Sequence, residues 1–272
     1  MTELTPPQIK TKFDVHLWWI TAVIIAVNVG LFFWQVLHGM DVSNPSTADA
    51  IRWGADYAPL TFLTEPMRLL SSMFFHFGLV HLMLNMWALY IFGSVAEQLF
   101  GRFYYFMLYL AAGLMGSLFS GYLAIHDTVS MLNQQVIDPS LLPHVSAGAS
   151  GAVMGLGGAL TLLSLFPVLP QQRFILDKKT LIMVMGINLV IGLTISGINN
   201  AAHVGGMLMG AVLAGIWYLC QKWQKPALSF ILGTTVAIVS CWFLYQYCLQ
   251  QVQLIQPIWA ELLQAMRQRY HF

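Results

Sequence analysis

Apolar and polar segments alternate seven times along the chain, with apolar runs at 17–37, 78–98, 103–124, 150–167, 180–197, 201–221 and 227–249. A helix needs roughly 20 apolar residues to cross about 30 Å of hydrocarbon. It is also one of the few structures that pairs its own backbone polar groups there. The pattern therefore predicts an all-α fold, a polytopic membrane helical bundle. Residues 1–16 read as a short N-terminal segment, 17–221 as a six-span core, 222–249 as a seventh C-terminal transmembrane helix and 250–272 as an amphipathic tail. The fourth and fifth runs are short, which suits helices that begin at a cavity. The first follows Lys10 and Lys12, yet it is too long for a signal peptide and no small-residue cleavage site follows it. It reads as a retained signal anchor.

Composition agrees with the pattern. Hydrophobic residues make up 58% of the chain and charged ones 8%, against roughly 25% charged in soluble domains. Mean hydropathy is +0.69. The expected surroundings are the lipid bilayer. A net charge of +1 gives no reason to expect a nucleic-acid partner. Cys220, Cys241 and Cys248 all fall in or at the ends of apolar runs, an odd set that makes no disulfide framework. They read as packing residues. No His or Cys spacing matches a metal site and no glycine loop matches a phosphate cradle, so neither metal nor cofactor is expected.

Charge also gives an orientation. With the N-terminus inside, the inner segments carry Lys10, Lys12, Arg102, Arg173, Lys178, Lys179, Lys222 and Lys225, and the outer ones Arg52, Arg68, Arg267 and Arg269. Excess Lys and Arg mark the cytoplasmic side. This predicts an integral protein of a bacterial inner membrane with a cytoplasmic N-terminus and an outward C-terminus. The second, fourth and sixth spans then all start near the outer face. His81, Ser150 and His203 lie at or near those three starts, so unusual polar residues from three helices converge at one depth. Of the two long outer segments, 38–77 is aromatic and half-apolar, as suits the membrane interface. The other, 125–149, is more polar and is expected as a cap above Ser150. The tail after Pro257 places Ile258, Trp259, Leu262, Leu263 and Met266 at helical spacing, predicting a separate short interfacial helix with no catalytic part.

A reactive group in an apolar span is costly and marks a candidate functional site. Ser150 stands in Gly148-Ala149-Ser150-Gly151, a weak signal alone, because small residues also line helix contacts in membranes. Gly151, Gly155 and Gly158 on the fourth span match Gly206, Gly210 and Ala214 on the sixth, and two such stripes facing each other would bring Ser150 and His203 together. A serine hydroxyl becomes a nucleophile when a base takes its proton, and histidine suits that role near neutral pH. The alternative is a packing serine and a histidine satisfied by loop carbonyls. His81 and Asn85 share one helix face. They are either donors for a developing oxyanion, together with the Ser150 amide, or an interhelical hydrogen-bond pair. His76 faces either water or the site. Glu97, at the inner end of the second span, is expected to receive hydrogen bonds from the turn around Gly101 and the start of the third span. No carboxylate is placed to orient His203, so a Ser–His dyad is expected.

These motifs, with Ala202-His203-Val204-Gly205-Gly206, the run from His76 to Asn85, and Glu97-Gln98-Leu99-Phe100-Gly101, resemble the rhomboid family of intramembrane serine proteases. The resemblance covers spans two to six and points to the bacterial type with one added C-terminal span. It implies Ser150 as nucleophile, His203 as general base, His81 and Asn85 with the Ser150 amide as oxyanion hole, and Gly148, Gly151, Gly206 and Glu97 as structural support. It further implies an endopeptidase that cleaves single-span or polytopic membrane-protein substrates in or beside their transmembrane helices. Two positions depart from the family pattern. Met67-Arg68 replaces Trp-Arg, and Met154 replaces an aromatic residue four after the serine. The competing reading is a catalytically silent rhomboid-like scaffold that binds and escorts transmembrane helices. A transporter would be expected to show inverted repeats and midplane sites, whereas the polar residues here gather at one face.

Overall fold

The computed structural model describes residues 15–135, 138–168, 177–194 and 199–270. Lys10, Lys12 and Arg173, which enter the charge argument, lie outside the described residues, as does most of the 1–16 segment. Among the described residues the chain forms ten α-helices and no strand. They are α1 (Trp19–Leu37), α2 (Thr47–Arg52), α3 (Ala58–Leu63), α4 (Arg68–Ser71), α5 (Leu79–Phe100), α6 (Arg102–Gln134), α7 (Ser150–Leu165), α8 (Lys178–Thr194), α9 (Asn200–Lys222) and α10 (Pro226–Tyr270). Helices α1, α5, α6, α9 and α10 are long and apolar enough to cross a membrane, and α7 is a shorter apolar helix. The protein is thus an all-α polytopic membrane bundle, and a helix answers to each apolar run.

The centre of the bundle is α7, packed between α6 and α9 by glycine. A Cβ on Gly206 would strike the Gly151 carbonyl, and one on Gly210 would strike the Gly155 carbonyl. Gly158 rests on the Met207 backbone, whose carbonyl oxygen would lie 2.7 Å from an added Cβ. The two stripes therefore face each other with backbones in contact, as small-residue packing in membranes allows. Tyr104 of α6 secures the far side of α9, its hydroxyl donating to the Leu213 carbonyl at 2.6 Å. Cys220, Cys241 and Cys248 are buried free thiols.

Three expectations change. The third span does not end at 124; α6 continues to Gln134, and among the described residues 138–149, largely irregular with one 3-10 turn at Pro139–Leu141, leads to Ser150. At about 1.5 Å per residue, its 33 residues span about 50 Å, well beyond the hydrocarbon core. The tail is no separate helix either. Helix α10 runs through Pro257 to Tyr270. Pro257 removes one backbone donor, but Ile255, Trp259 and Leu263 are buried on either side of it and hold the helix on course.

The third change concerns Glu97. Its carboxylate accepts from the amides of Ile20 (3.0 Å) and Thr21 (2.8 Å) and from the Thr21 hydroxyl (2.9 Å), not from the side of α6. Trp18, at the N-cap of α1, makes no side-chain cap. Helix starts leave orphan amides, and Glu97 satisfies those of α1 from the neighbouring helix.

The first outer segment folds inward. Ile51, Leu60, Met73 and Phe75 are buried in protein. Arg68 ties the segment together, with one guanidinium nitrogen donating to the carbonyls of Ile51 (2.8 Å) and Ala55 (2.9 Å) and another pairing with Glu65 at 2.8 Å. Met67, the departing neighbour of Arg68, points outward at 70% exposure and takes no part in this clamp.

Candidate active site

The sequence sets Ser150 at the first position of α7, where the helix leaves its leading amides without intrahelical partners. Gly148, two residues earlier, has φ +127°, a conformation costly for any other residue. A Cβ there would lie 3.0 Å from Cε1 and 3.1 Å from Nε2 of His81, and 3.8 Å from the Ser150 hydroxyl oxygen. The absent side chain at Gly148 is therefore what lets the His81 ring approach Ser150.

The tautomer of His81 follows from its other nitrogen. Nδ1 accepts the Phe77 amide at 3.2 Å, so in the neutral ring the proton sits on Nε2. That N–H lies beside Gly148. Asn85, one turn along, is buried and donates to the His81 carbonyl at 3.0 Å, within its own helix.

His203 occupies the first turn of α9. Asn199 caps that helix, its side-chain oxygen accepting from Ala202 at 3.0 Å while its amide donates to the Ser120 hydroxyl at 2.6 Å. The Ala202 carbonyl lies against Gly151 and Gly116, 3.3 Å and 2.7 Å from where their Cβ atoms would be. The turn bearing His203 is therefore seated directly on the turn bearing Ser150. His203 is buried, and its Nδ1 has no hydrogen-bond partner. Among the described residues no group of three or more His, Cys, Asp or Glu side chains is placed to hold a metal ion.

His76, whose surroundings the sequence leaves open between water and the site, is fully buried beside the site. Its Nε2 lies 3.5 Å from the Ala149 amide and its ring centroid 5.3 Å from that of His81. Burial, with His81 nearby adding to the effect, pushes its imidazole down to about 3, so it is neutral at physiological pH. Met154, the second departure, is buried in the core.

A cavity of about 20 Å³ opens beside Ser150, lined by Ser72, Ser117, Ser146 and Asn199 among others, with room for about one water. Sequence reasoning missed these four. Asn199 carried a signal, being Asn immediately before a helical run. Ser72 and Ser117 carried none, because serines in apolar helices pack as often as they act. Ser146 belongs to a two-hydrogen-bond bridge with Asp56, its amide donating to the Asp56 carbonyl at 2.8 Å and its carbonyl accepting from the Asp56 amide at 2.9 Å. The Gly148 amide donates to the Ser72 carbonyl at 2.8 Å. The approach to Ser150 is thus pinned at 146 and 148 by the first outer segment. Asp56 itself is buried and accepts from the Thr61 hydroxyl at 2.5 Å. Burial raises its carboxyl to about 6 against the opposing pull of Thr61 and Arg68.

A helical membrane bundle with a serine and a histidine on the abutting first turns of two buried helices, and a histidine N–H beside them, defines a class of intramembrane protein. The rhomboid domain family matches residues 63–222, more than half of the chain. The chain belongs to the rhomboid family. It is similar to the rhomboid protease AarA of Providencia stuartii, at 24% identity over 88% of this chain and 86% of that one. Identity is 30% to the rhomboid protease GluP of Bacillus subtilis over 80% of this chain, which spans only 39% of the length of GluP. RHOMBOID-like protein 2 of Arabidopsis thaliana is 32% identical over 85% of this chain and 67% of its own.

Proposed function

We propose that the protein is an intramembrane serine endopeptidase of membrane-protein substrates, working by a Ser150–His203 dyad. The observation that carries this reading is the seating of the His203 turn on the Ser150 turn, with the Nε2 edge of His81 beside Gly148 at the start of the latter. Similarity to the proteases AarA and GluP supports it. His203 takes the Ser150 proton as the hydroxyl attacks the scissile carbonyl, then gives that proton to the leaving amine. The oxygen that becomes negative meets the Ser150 amide, His81 Nε2 and the Asn85 amide, whose side chain leaves its bond to the His81 carbonyl to do so. A water at the cavity beside Ser150 then hydrolyses the acyl-enzyme. The partnerless Nδ1 of His203 accords with a dyad lacking a third, acidic member.

Helical substrates hide their carbonyls, so cleavage requires a locally unwound stretch near the depth of Ser150. The charge bias favours a cytoplasmic N-terminus with the site toward the outer face. An exported-only reporter fused after Phe272 is then active, and one fused at Lys178 is silent.

The test of the reaction is covalent labelling. In detergent, a fluorophosphonate labels Ser150, while Ser150→Ala abolishes and His203→Ala nearly abolishes labelling. Labelling weakens at acid pH, where an imidazole already carries the proton it must accept. A folded protein that neither reacts nor cleaves a model transmembrane substrate overturns the assignment in favour of a silent scaffold.

A further inference from the structure

Helix α10 is about 67 Å long by its 45 residues, far more than a single crossing needs. Its extension beyond the bilayer is not free. Trp259 is fully buried, and its indole nitrogen donates at 3.1 Å to the hydroxyl of Thr128, on the part of α6 that also outruns the membrane. One turn further, Leu263 is buried in a small cluster with Ile51, Tyr57 and Leu60, against which Val145 and Met266 also pack. Lower down, Tyr245 of the same helix stacks on Phe62 of α3 with ring centroids 6.1 Å apart. So α10 grips α3 at two levels. Asp56, two residues before α3, makes the backbone bridge to Ser146, four residues before Ser150.

We propose that the outer half of α10 is a positioning element for the candidate site, holding α3 so that the Asp56–Ser146 bridge fixes the chain that delivers Ser150. The proposal rests on the proteolytic reading for its effect on rate, but the strap itself does not. An irregular segment such as 138–149 has few helix bonds of its own, so its placement depends on what it is tied to. The tie at Ser146 consists of two backbone hydrogen bonds whose other half, 53–57, is itself irregular. Arg68 holds that half at the Ile51 and Ala55 carbonyls, and α3 with the Leu263 cluster supplies the second anchor. A nucleophile displaced by about 1 Å can lose two orders of magnitude in rate. This gives the seventh helix a task in the reaction although it touches no reacting atom.

The experiment uses the full chain in detergent micelles and reads hydrogen exchange at the Asp56 and Ser146 amides. Leu263→Ala empties a buried contact and is expected to speed exchange at both at least about tenfold. Amides within α7 and α9 keep wild-type rates, and Leu263→Met restores protection. On a model transmembrane substrate, kcat falls about tenfold with KM unchanged, as expected for misplacement and not for lost binding. Ile238→Ala, on the lipid-facing side of the same helix, alters neither readout. Unchanged exchange at Asp56 and Ser146 in Leu263→Ala overturns the proposal, and so does faster exchange with unchanged kcat. Should Leu263→Ala fail to fold, Met266→Ala trims the edge of the same cluster and is read in the same way. A wild-type protein that cleaves nothing removes the protease reading, and the exchange rates alone then decide whether the strap exists.

Discussion

The two ends of α5 hold the most polar chemistry of the bundle and use it in opposite ways. At the inner end, Glu97 is saturated by two amides and a hydroxyl of α1, and the Thr21 hydroxyl oxygen accepts in turn from the Tyr105 hydroxyl at 2.9 Å. Gly93 lets these groups close in, its missing Cβ leaving 2.8 Å to both Thr21 and Tyr105. At the outer end, His203 and His76 each keep a buried nitrogen without a partner, and a cavity lies beside Ser150. Buried polar groups that are all paired stabilise a junction, whereas unpaired ones cost free energy. The second arrangement suits a site where the pairing is completed by something that comes and goes, as the proposed reaction requires. The inner cluster reads as a joint, and the outer one fits the reaction site proposed above.

The largest expected effect is at the outer end. Asn85→Ala and His81→Ala each lower kcat by about 10²–10³ with little change in substrate binding or thermal stability, as removal of an oxyanion donor does. Steady-state kinetics with a transmembrane substrate check this, and wild-type rates in both would make the pair a structural contact. The converse holds at the inner end. Glu97→Ala strands the Ile20 and Thr21 amides and is expected to cost about 3 kcal/mol of stability. The folded fraction keeps its kcat. Thermal unfolding in micelles, paired with active-site titration, separates the two effects.

Also on the Ser150 side is Asp56, whose carboxyl is raised to about 6 chiefly by burial. A group raised in the folded state favours folding most when protonated, so its contribution is full below the ordinary carboxylate value near 4 and fades as pH rises through about 6. Asp56→Asn therefore stabilises the first outer segment at pH 7 by of order 2 kcal/mol and flattens that dependence. Exchange at the Ser146 amide, followed from pH 4 to 7 with correction for intrinsic rates, tests the sign. The smallest effect falls on Asn199. Its replacement by Ala removes the cap beneath His203 and costs about 1 kcal/mol, with a loss of fluorophosphonate labelling smaller than that of His203→Ala. Equal losses in the two would mean that Asn199 acts on the reacting atoms and not on the helix start.

Much of this arrangement was legible in the chain. Apolar runs located every long helix because lipid imposes a length and an internal hydrogen-bond pattern on whatever crosses it. The glycine stripes of α7 and α9 were legible for a related reason, since only small residues allow backbones to touch. Where the solvent stopped imposing a pattern, the reading stopped short. His126, Asp127 and Thr128 look like loop by hydropathy, yet α6 continues through them because Trp259 packs beside Thr128. Pro257 looks like a break, yet α10 passes it because burial on both sides outweighs one missing donor.

The sequence by itself determined the apolar helices of the bundle, the three helix starts that carry Ser150, His203 and His81, and the family to which the chain belongs. These depend on composition and spacing along one strand of chain, which are written in order. Only the tertiary structure decided that Glu97 caps α1, that His76 lies inside, that Ser72, Ser117, Ser146 and Asn199 share a cavity with Ser150, and that the seventh helix reaches back to α3. Each of these joins residues far apart in the chain, and hydrogen bonds and van der Waals contacts form by distance in space, for which no local pattern of residues is required.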